Sequence, residues 1–426
     1  MQIIFIQLNE INFNYVKKYI KKYNLKNFKK VEKDLSLTIS EKRYDLLEPW
    51  IQWYTIHTGL KAKEHGVYRL GDSVNYSHPQ IFEELENLGL KIGVISSMNS
   101  VNRLKKPSYF IPDPWTSTQS DSDFFSKLIA KTLRDLVNNN ATGKSSKMSF
   151  LYLILIFFKF VRLKNYKKFI NLAFSYKKKW NKAIFLDKLL HEIHLKLLAK
   201  NKPNFSSIFF NGGAHIQHHY LLNSLANNSS EKNPTEILSN KDDPLKDLLF
   251  ASDEILGEYY KKFNNIIIAT GLTQKVVDKP EYYYRLNDHQ NFLKKNKVKF
   301  KKIEPRMSRD FLIIFENNSD RDKAFNVLNS LHLNKKKLFG ILDKRQKSIF
   351  TTLTYNQKIL KNDIYYSNNE KKKIINDISF VAIKNGHHDR NGFVYTKGKI
   401  KEYFNKNKKI NISTIKKRIY KCFLKK

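Results

Sequence analysis

The sequence predicts an α/β fold built on a mostly parallel central sheet, with a helical insertion and a small second α+β lobe. Three observations carry this prediction. Four short apolar runs, "QIIFIQL" (2–8), "LKIGVIS" (90–96), "SIFFNGG" (207–213) and "NIIIATG" (265–271), each lead into a polar or glycine-containing loop. Stretches with apolar residues at helical spacing, such as "NFNYVKKYIKKY", lie between them. The polar clusters of the chain, finally, fall at the ends of those runs. Short, continuous apolar runs suit strands buried on both faces, as parallel strands covered by helices are. In sheets wound this way, ligands collect where the C-terminal ends of the strands meet.

Composition supports a packed core and limits the functional classes. Hydrophobic residues make up 41% of the 426 positions and aromatics 13%, so disorder is excluded as the general state. The net charge of +39 attracts anions. The lysines are nevertheless spread along the whole chain among abundant Asn, Ile, Tyr and Phe, as AT-rich coding produces. Nucleic-acid binding is therefore not expected. A single cysteine, Cys422, excludes a disulfide framework and a cysteine-based metal site. "MQIIFIQLNEIN" lacks a basic leading segment and its apolar run is short for a signal peptide. The expected location is cytoplasmic, with a peripheral position at the inner membrane face if the insertion touches lipid.

Taken in order, residues 1–115, 201–275 and 381–426 are expected to build the core. Residues 116–200 form the helical insertion or cap, rich in Lys and aromatics. Within it "FLYLILIFFKFVRL" (150–163) is strongly apolar but carries Lys159 and Arg162, and it falls short of the ~20 residues that span a bilayer. The expectation is a buried helix under a cap; the alternative is an interfacial helix making peripheral membrane contact through 150–163. In 276–380, "RDFLIIFE" (309–316), "DRDKAFNVLNSL" (320–331) and "SIFTTLTY" (348–355) suggest a βαβ-like lobe. The closing "KINISTIKKRIYKCFLKK" reads as a packed last helix.

Four clusters carry chemistry-bearing side chains: "LNEIN" (8–12), "PWIQWYTIHTGLKAKEHGV" (49–67), "NGGAHIQHHY" (211–220) and "NGHHDRNGFVYTKG" (385–398). His215 and His218 are three apart, and His215 and His219 four apart. On a helix, either spacing puts two imidazoles on one face, as a metal site needs. His387 and His388 add two more, on an expected loop before a strand. Asp72 and Asp113, beside Gly or Pro, read as turn residues.

The order of these clusters resembles the alkaline phosphatase superfamily, and within it the phosphodiesterase/nucleotide pyrophosphatase and sulfatase-like branch. Thr58-Gly59, five residues, then His65-Gly66 is similar to that branch's "TG…HG" turn after the nucleophile helix. "IIFIQLNEIN" sits in the place of the first metal-binding Asp strand, "FFNGGAHIQHHY" in that of the "D…H" segment, and "GHHDRNGFVYTKG" in that of the late "H…G" segment. The resemblance implies an α/β/α sandwich. It also implies a hydrolase or transferase acting on a phosphate or sulfate ester, in surface glycan or lipid-linked metabolism. The family holds two zinc ions with three Asp and three His and attacks with Thr, Ser or a modified Cys. Here Asn9, with Glu10 beside it, takes the first Asp place, and Pro49 the nucleophile's. Asn211 replaces the middle Asp and Gly271-Leu272 the Asp-His pair, while His215 and His388 are retained.

These departures change the expected chemistry. Two divalent ions bring four positive charges, and Glu10 is the one obvious carboxylate, so uncompensated charge would cost several kcal/mol per ion. At most one zinc or other divalent metal is expected, on Glu10, His215, His218 and His388. Water activated by Glu10, His215 or His388 replaces the covalent nucleophile. Asn9, Trp50, Thr55, Asn211 and His387 are the expected substrate-binding residues, with Trp53 either lining the pocket or anchoring its helix. The partner is an anionic small molecule, glycan or lipid-linked substrate. The alternative is a catalytically degenerate member serving as a binding or scaffold protein.

Overall fold

All four apolar runs become strands because each buries side chains on both sides. In the computed structural model, which describes residues 1–140, 146–175, 178–305, 309–367, 370–404 and 409–424, they are β1 (Ile3–Leu8), β3 (Ile92–Ile95), β5 (Phe205–Phe210) and β6 (Asn265–Ala269), joined by β2 (Leu35–Ile39) and β4 (Tyr109–Ile111). With the strands Asn391–Lys397 and Lys409–Asn411 they make one eight-stranded sheet. Its order is Lys409–Asn411, β2, Asn391–Lys397, β6, β1, β5, β3, β4. The five strands β6, β1, β5, β3 and β4 pair in parallel. Asn391–Lys397 runs antiparallel to both its neighbours, β2 and β6.

The central strand β1 shows why the sheet is sandwiched. Successive side chains leave a strand on opposite faces. Ile4, Ile6 and Leu8 accordingly enter one core, shared with the helices Phe13–Tyr23, Asn181–Asn201 and Pro244–Lys262. Ile3 and Phe5 enter the other, shared with Pro49–Thr58, Ile81–Asn87 and Ile415–Leu424. The closing segment thus packs as expected, with Ile415, Ile419 and Cys422 buried. Helices on both faces leave the C-terminal strand ends as the natural place for a ligand.

The chain divides into two compact units, Met1–Val277 with Gly386–Lys426, and Asp278–Asn385. In the second, Asp310–Ile314 and Ser348–Leu353 pair antiparallel, flanked by Lys302–Pro305 and Phe339–Arg345, again antiparallel. This corrects the βαβ-like expectation. Phe339–Arg345 lies between the helix Asn318–Ser330 and Ser348–Leu353, and its tight turn reverses the chain, whereas a βαβ unit needs a parallel return.

Residues 124–201 are largely helical in the described segments: Phe124–Asn140, Lys147–Phe160, Tyr166–Phe174 and Asn181–Asn201. The expectation that 150–163 is buried under a cap is not met. Of the helix Lys147–Phe160, only Ser149, Ile156 and Phe160 are buried. One face packs on the core and nothing among the described residues covers the other. No described helix is long and apolar enough to cross a membrane.

Arg162, just past that helix, fastens the insertion. Its Nε and backbone N–H donate to Glu192 Oε2 at 2.8 and 3.0 Å, and its Nη1 and Nη2 donate to Glu258 at 2.6 and 2.9 Å. The Glu192 side chain is only 3% exposed, so it depends on this partner. Arg162→Met is expected to lower stability by about 2 kcal/mol, read as a lower urea midpoint, because a buried carboxylate loses its cation. Adding Glu192→Gln should recover part of the loss.

Candidate functional site

The site begins with an unusual backbone turn at the end of β1. The Asn9 N–H donates to Phe210 O at 3.0 Å and the Glu10 N–H to Thr270 O at 3.1 Å, so three strand ends converge there. Glu10 takes φ = 63°, a left-handed conformation that costs a side-chain-bearing residue about 1–3 kcal/mol. Gln217 Nε2 holds the turn by donating to the Glu10 carbonyl at 2.7 Å.

The Glu10 carboxylate is buried at the centre of a polar cluster. Its Oε2 lies 3.2 Å from His218 Nε2 and 3.4 Å from His388 Nε2, and accepts from Gln274 Nε2. Its Oε1 accepts from Asn9 Nδ2 at 3.2 Å. Burial works against the charged form. His388 and His218 outweigh it and hold Glu10 well below the usual carboxylate range.

The histidine segments are sorted by their elements. The helix Gly212–Tyr220 forms as expected, and the His218 ring meets His388 at 5.1 Å. His215, expected as a ligand and catalytic group, does not join the Glu10 cluster; its ring sits edge-on to His219, 5.0 Å away. Spacings of three and four both share a helical face, and the rotation of the helix, which buries Ile216 and Gln217, is what brings His218 and not His215 to Glu10. His387 and His388 lie on the strand Ile378–Asp389 instead of a loop. Adjacent strand residues leave opposite faces, and only His388 reaches Glu10.

Other expected positions serve the frame. Asn9 is almost fully buried: its Oδ1 accepts from Trp53 Nε1 at 2.7 Å and its Nδ2 donates to Asn211 Oδ1 at 2.9 Å as well as to Glu10. Those hydrogen bonds are all made within the protein, and the half-buried Asn211 is one partner. Trp53 is fully buried and is the helix anchor. Trp50 is half-buried and its Nε1 donates to Tyr68 O at 3.1 Å. Thr55 is buried too, 3.1 Å from His65 Nε2. His65 Nδ1 accepts from the Val67 N–H, so Nε2 carries the proton and donates to Thr55. Burial pushes His65 down to about 4, which keeps this ring neutral. Thr55 is therefore a structural hydroxyl. Gly59 and Gly66 take φ = 76° and 66° and end the two short helices, so the "TG…HG" segment acts here as a pair of helix stops. Asp113 organises its loop, accepting from the Asn99, Trp115 and Thr116 N–H groups.

Four participants were not singled out in the sequence. Glu48, immediately before the helix Pro49–Thr58, has its Oε2 3.6 Å from His388 Nδ1. Its one signal in the sequence is an acid immediately before Pro49. Gln217 and Gln274 bond to Glu10, and Asp187, from the insertion, accepts from the Gly212 N–H at 3.1 Å; none of these has a sequence signature.

The donor set fits a divalent cation. Glu10, His218 and His388 each offer one atom, all within 4.8 Å of one another. Tetrahedral zinc with ligands at about 2.0–2.1 Å spaces its donors by about 3.4 Å, close to the two Glu10–imidazole distances. Glu48 beside His388 Nδ1 resembles the carboxylate that orients a metal-binding imidazole. His191, Glu192 and Glu258 are similarly close, but Arg162 already supplies the cation to both carboxylates.

No family model and no curated protein matches the chain. It is similar, at low identity, to several solved structures. One is phosphonoacetate hydrolase from Sinorhizobium meliloti in complex with phosphonoformate, at TM-score 0.45 and 10% identity over 99% of this chain and 95% of that one. Another is the murine ectonucleotide pyrophosphatase/phosphodiesterase 5, at TM-score 0.44 and 13% identity over 99% and 95%. A third is the alkaline phosphatase of the Antarctic bacterium TAB5, at TM-score 0.40 and 12% identity over 99% and 97%.

Asp187 makes the frame sensitive to pH. Burial pushes its carboxyl up to about 7, against the opposing pull of the Gly212 and Asn211 N–H groups. A carboxyl raised in the folded state favours folding while protonated, so its contribution declines from about pH 4 and is gone above about pH 7. Asp187→Asn should flatten that decline, measured as urea midpoints between pH 4 and 8.

Proposed function

We propose that Glu10, His218 and His388 hold one divalent cation, zinc by the chemistry of the donors. We further propose that this site hydrolyses an anionic phosphate or sulfate ester with water as the nucleophile. The observation that carries this reading is the buried Glu10 carboxylate with two imidazoles at 3.2 and 3.4 Å. A bound divalent ion would supply charge to a bound ester and acidify a water. The remaining roles belong to the chain. Glu10 offsets the positive charge. Glu48, across His388 from Glu10, orients that ring and, being 35% exposed, is the carboxylate with solvent access to accept a proton. Pro49 has no group to attack with, and the Thr55 hydroxyl is committed to His65.

One ion is the reading for a second physical reason. The Asn9 oxygen is neutral and already accepts from Trp53, and Gly271-Leu272 offers no side-chain donor. The Trp53 indole lies close enough to Gly271 that an added Cβ would meet it at 3.0 Å. That packed indole also favours a second reading, a binding protein that keeps the cluster without turnover. The substrate, within either reading, is an anionic small molecule, a glycan or a lipid-linked ester attracted by the net charge of +39.

Elemental analysis of protein purified without chelator is expected to find one equivalent of metal. Glu10→Gln and His388→Ala should lose it, and His215→Ala should retain it. Glu48→Gln should weaken metal affinity about 10–100-fold. Aryl phosphate mono- and diester and aryl sulfate turnover should vanish with the metal. Metal without turnover of any of these selects the binding reading; neither metal nor turnover refutes both the site and the activity.

A further inference from the structure

The insertion carries a surface that hydrolysis leaves unused. At 3.6 residues per turn, Phe150, Ile154, Phe158, Leu151, Leu155 and Met148 follow one another across one face of the helix Lys147–Phe160, about 160° wide. All six are exposed, Phe158 and Phe150 by more than 60%, while the buried Ser149, Ile156 and Phe160 lie opposite. The apolar surface continues beyond the helix through the exposed Leu163, Ile170 and Phe174. The next helix is in contact, with Phe158 6.0 Å from Tyr166 and Phe157 5.5 Å from Phe169. Scattered apolar side chains on a surface are ordinary; a continuous face of this kind marks an interaction site.

A basic groove adjoins it. Lys127, Lys131 and Arg134, spaced four and three apart on Phe124–Asn140, line an open groove of about 760 Å³ together with Met148 and Tyr152. Lys131 Nζ lies 5.3 Å from the centre of the Tyr152 ring. Among the described residues, the one acid lining the groove is Asp135, which accepts from Ser146 at 3.3 Å. Met148 belongs both to the groove and to the apolar face. The exposed Lys147, Lys159, Lys164 and Lys167 lie along the same two helices and the turn between them.

We propose that this face docks on a membrane surface rich in anionic phospholipid, with the apolar side chains at the headgroup–acyl boundary and a lipid phosphate in the Lys127–Lys131–Arg134 groove. Apolar side chains beside clustered lysines are what such an interface selects. Charge complementarity also decides against a second copy of the chain. A two-fold contact brings the same patch together with itself, and here that would oppose like-charged lysines. A span is excluded for this helix by its length.

The test is flotation of the full chain with phosphatidylcholine vesicles, with and without phosphatidylglycerol. It is run at low salt and at about 0.5 M, where the Debye length falls below ~5 Å. Wild type is expected to float with the anionic vesicles and to keep part of that binding at high salt. The charge-neutral variant Leu151→Ser/Leu155→Ser/Phe158→Ser, with wild-type circular dichroism, should lose at least about 30-fold in partitioning and all binding at high salt. Lys127→Ala/Lys131→Ala should lose about 10-fold on anionic vesicles only. Equal binding by wild type and the apolar variant would assign the effect to net charge and overturn the proposal. So would a wild type that does not float, including one that dimerises through this face.

Discussion

A single buried carboxylate sets the terms for the geometry around the strand ends. Glu10 is 1% exposed, and a charge so placed needs positive or proton-donating groups on every side. It has them: two imidazoles, the Gln274 amide and the Asn9 amide. Each comes from a different part of the chain, so the requirement of one side chain ties β1 to the helix after β5, to the segment after β6 and to the strand that carries His388. The left-handed backbone at Glu10 belongs to the same constraint. Its strain persists because the N–H is taken by Thr270 and the carbonyl by Gln217.

Around that centre the polar side chains are largely amides. Asn9 bonds to two neutral partners, Trp53 and Asn211, and donates to the Glu10 carboxylate. On one side Trp53 fills the space beside Gly271, and on the other Glu48 is partly exposed. The charged groups of the site thus meet at one point, the Glu10 carboxylate. The site also relies on the insertion, because Asp187 secures the first turn of the helix that bears His218.

The exposed helix Lys147–Phe160 follows a different logic. Its residues are apolar around nearly the whole circumference, yet the core accepts only one face. Burial of Ile156 and Phe160 holds the helix in place, and Arg162 locks the turn that follows through Glu192 and Glu258. The outward face is thus displayed on a firmly attached element.

Much of the framework was legible from the sequence by itself. Apolar runs flanked by polar turns determined β1, β3, β5 and β6, since strands buried on both faces need such runs, and helical spacing determined the elements between them. Glu10, His218 and His388 could be nominated because acids and imidazoles at strand ends are chemically conspicuous. What the tertiary structure alone decided was which of them meet. Spacing puts His215 and His218 on one helical face, but the rotation of the helix, set by the burial of Ile216 and Gln217, chooses between them. Strand alternation chooses His388 over His387. The roles of Glu48, Gln274 and Asp187 were invisible for the same reason: each acts across a gap in the chain that only packing closes, and no local pattern records a contact made at long range.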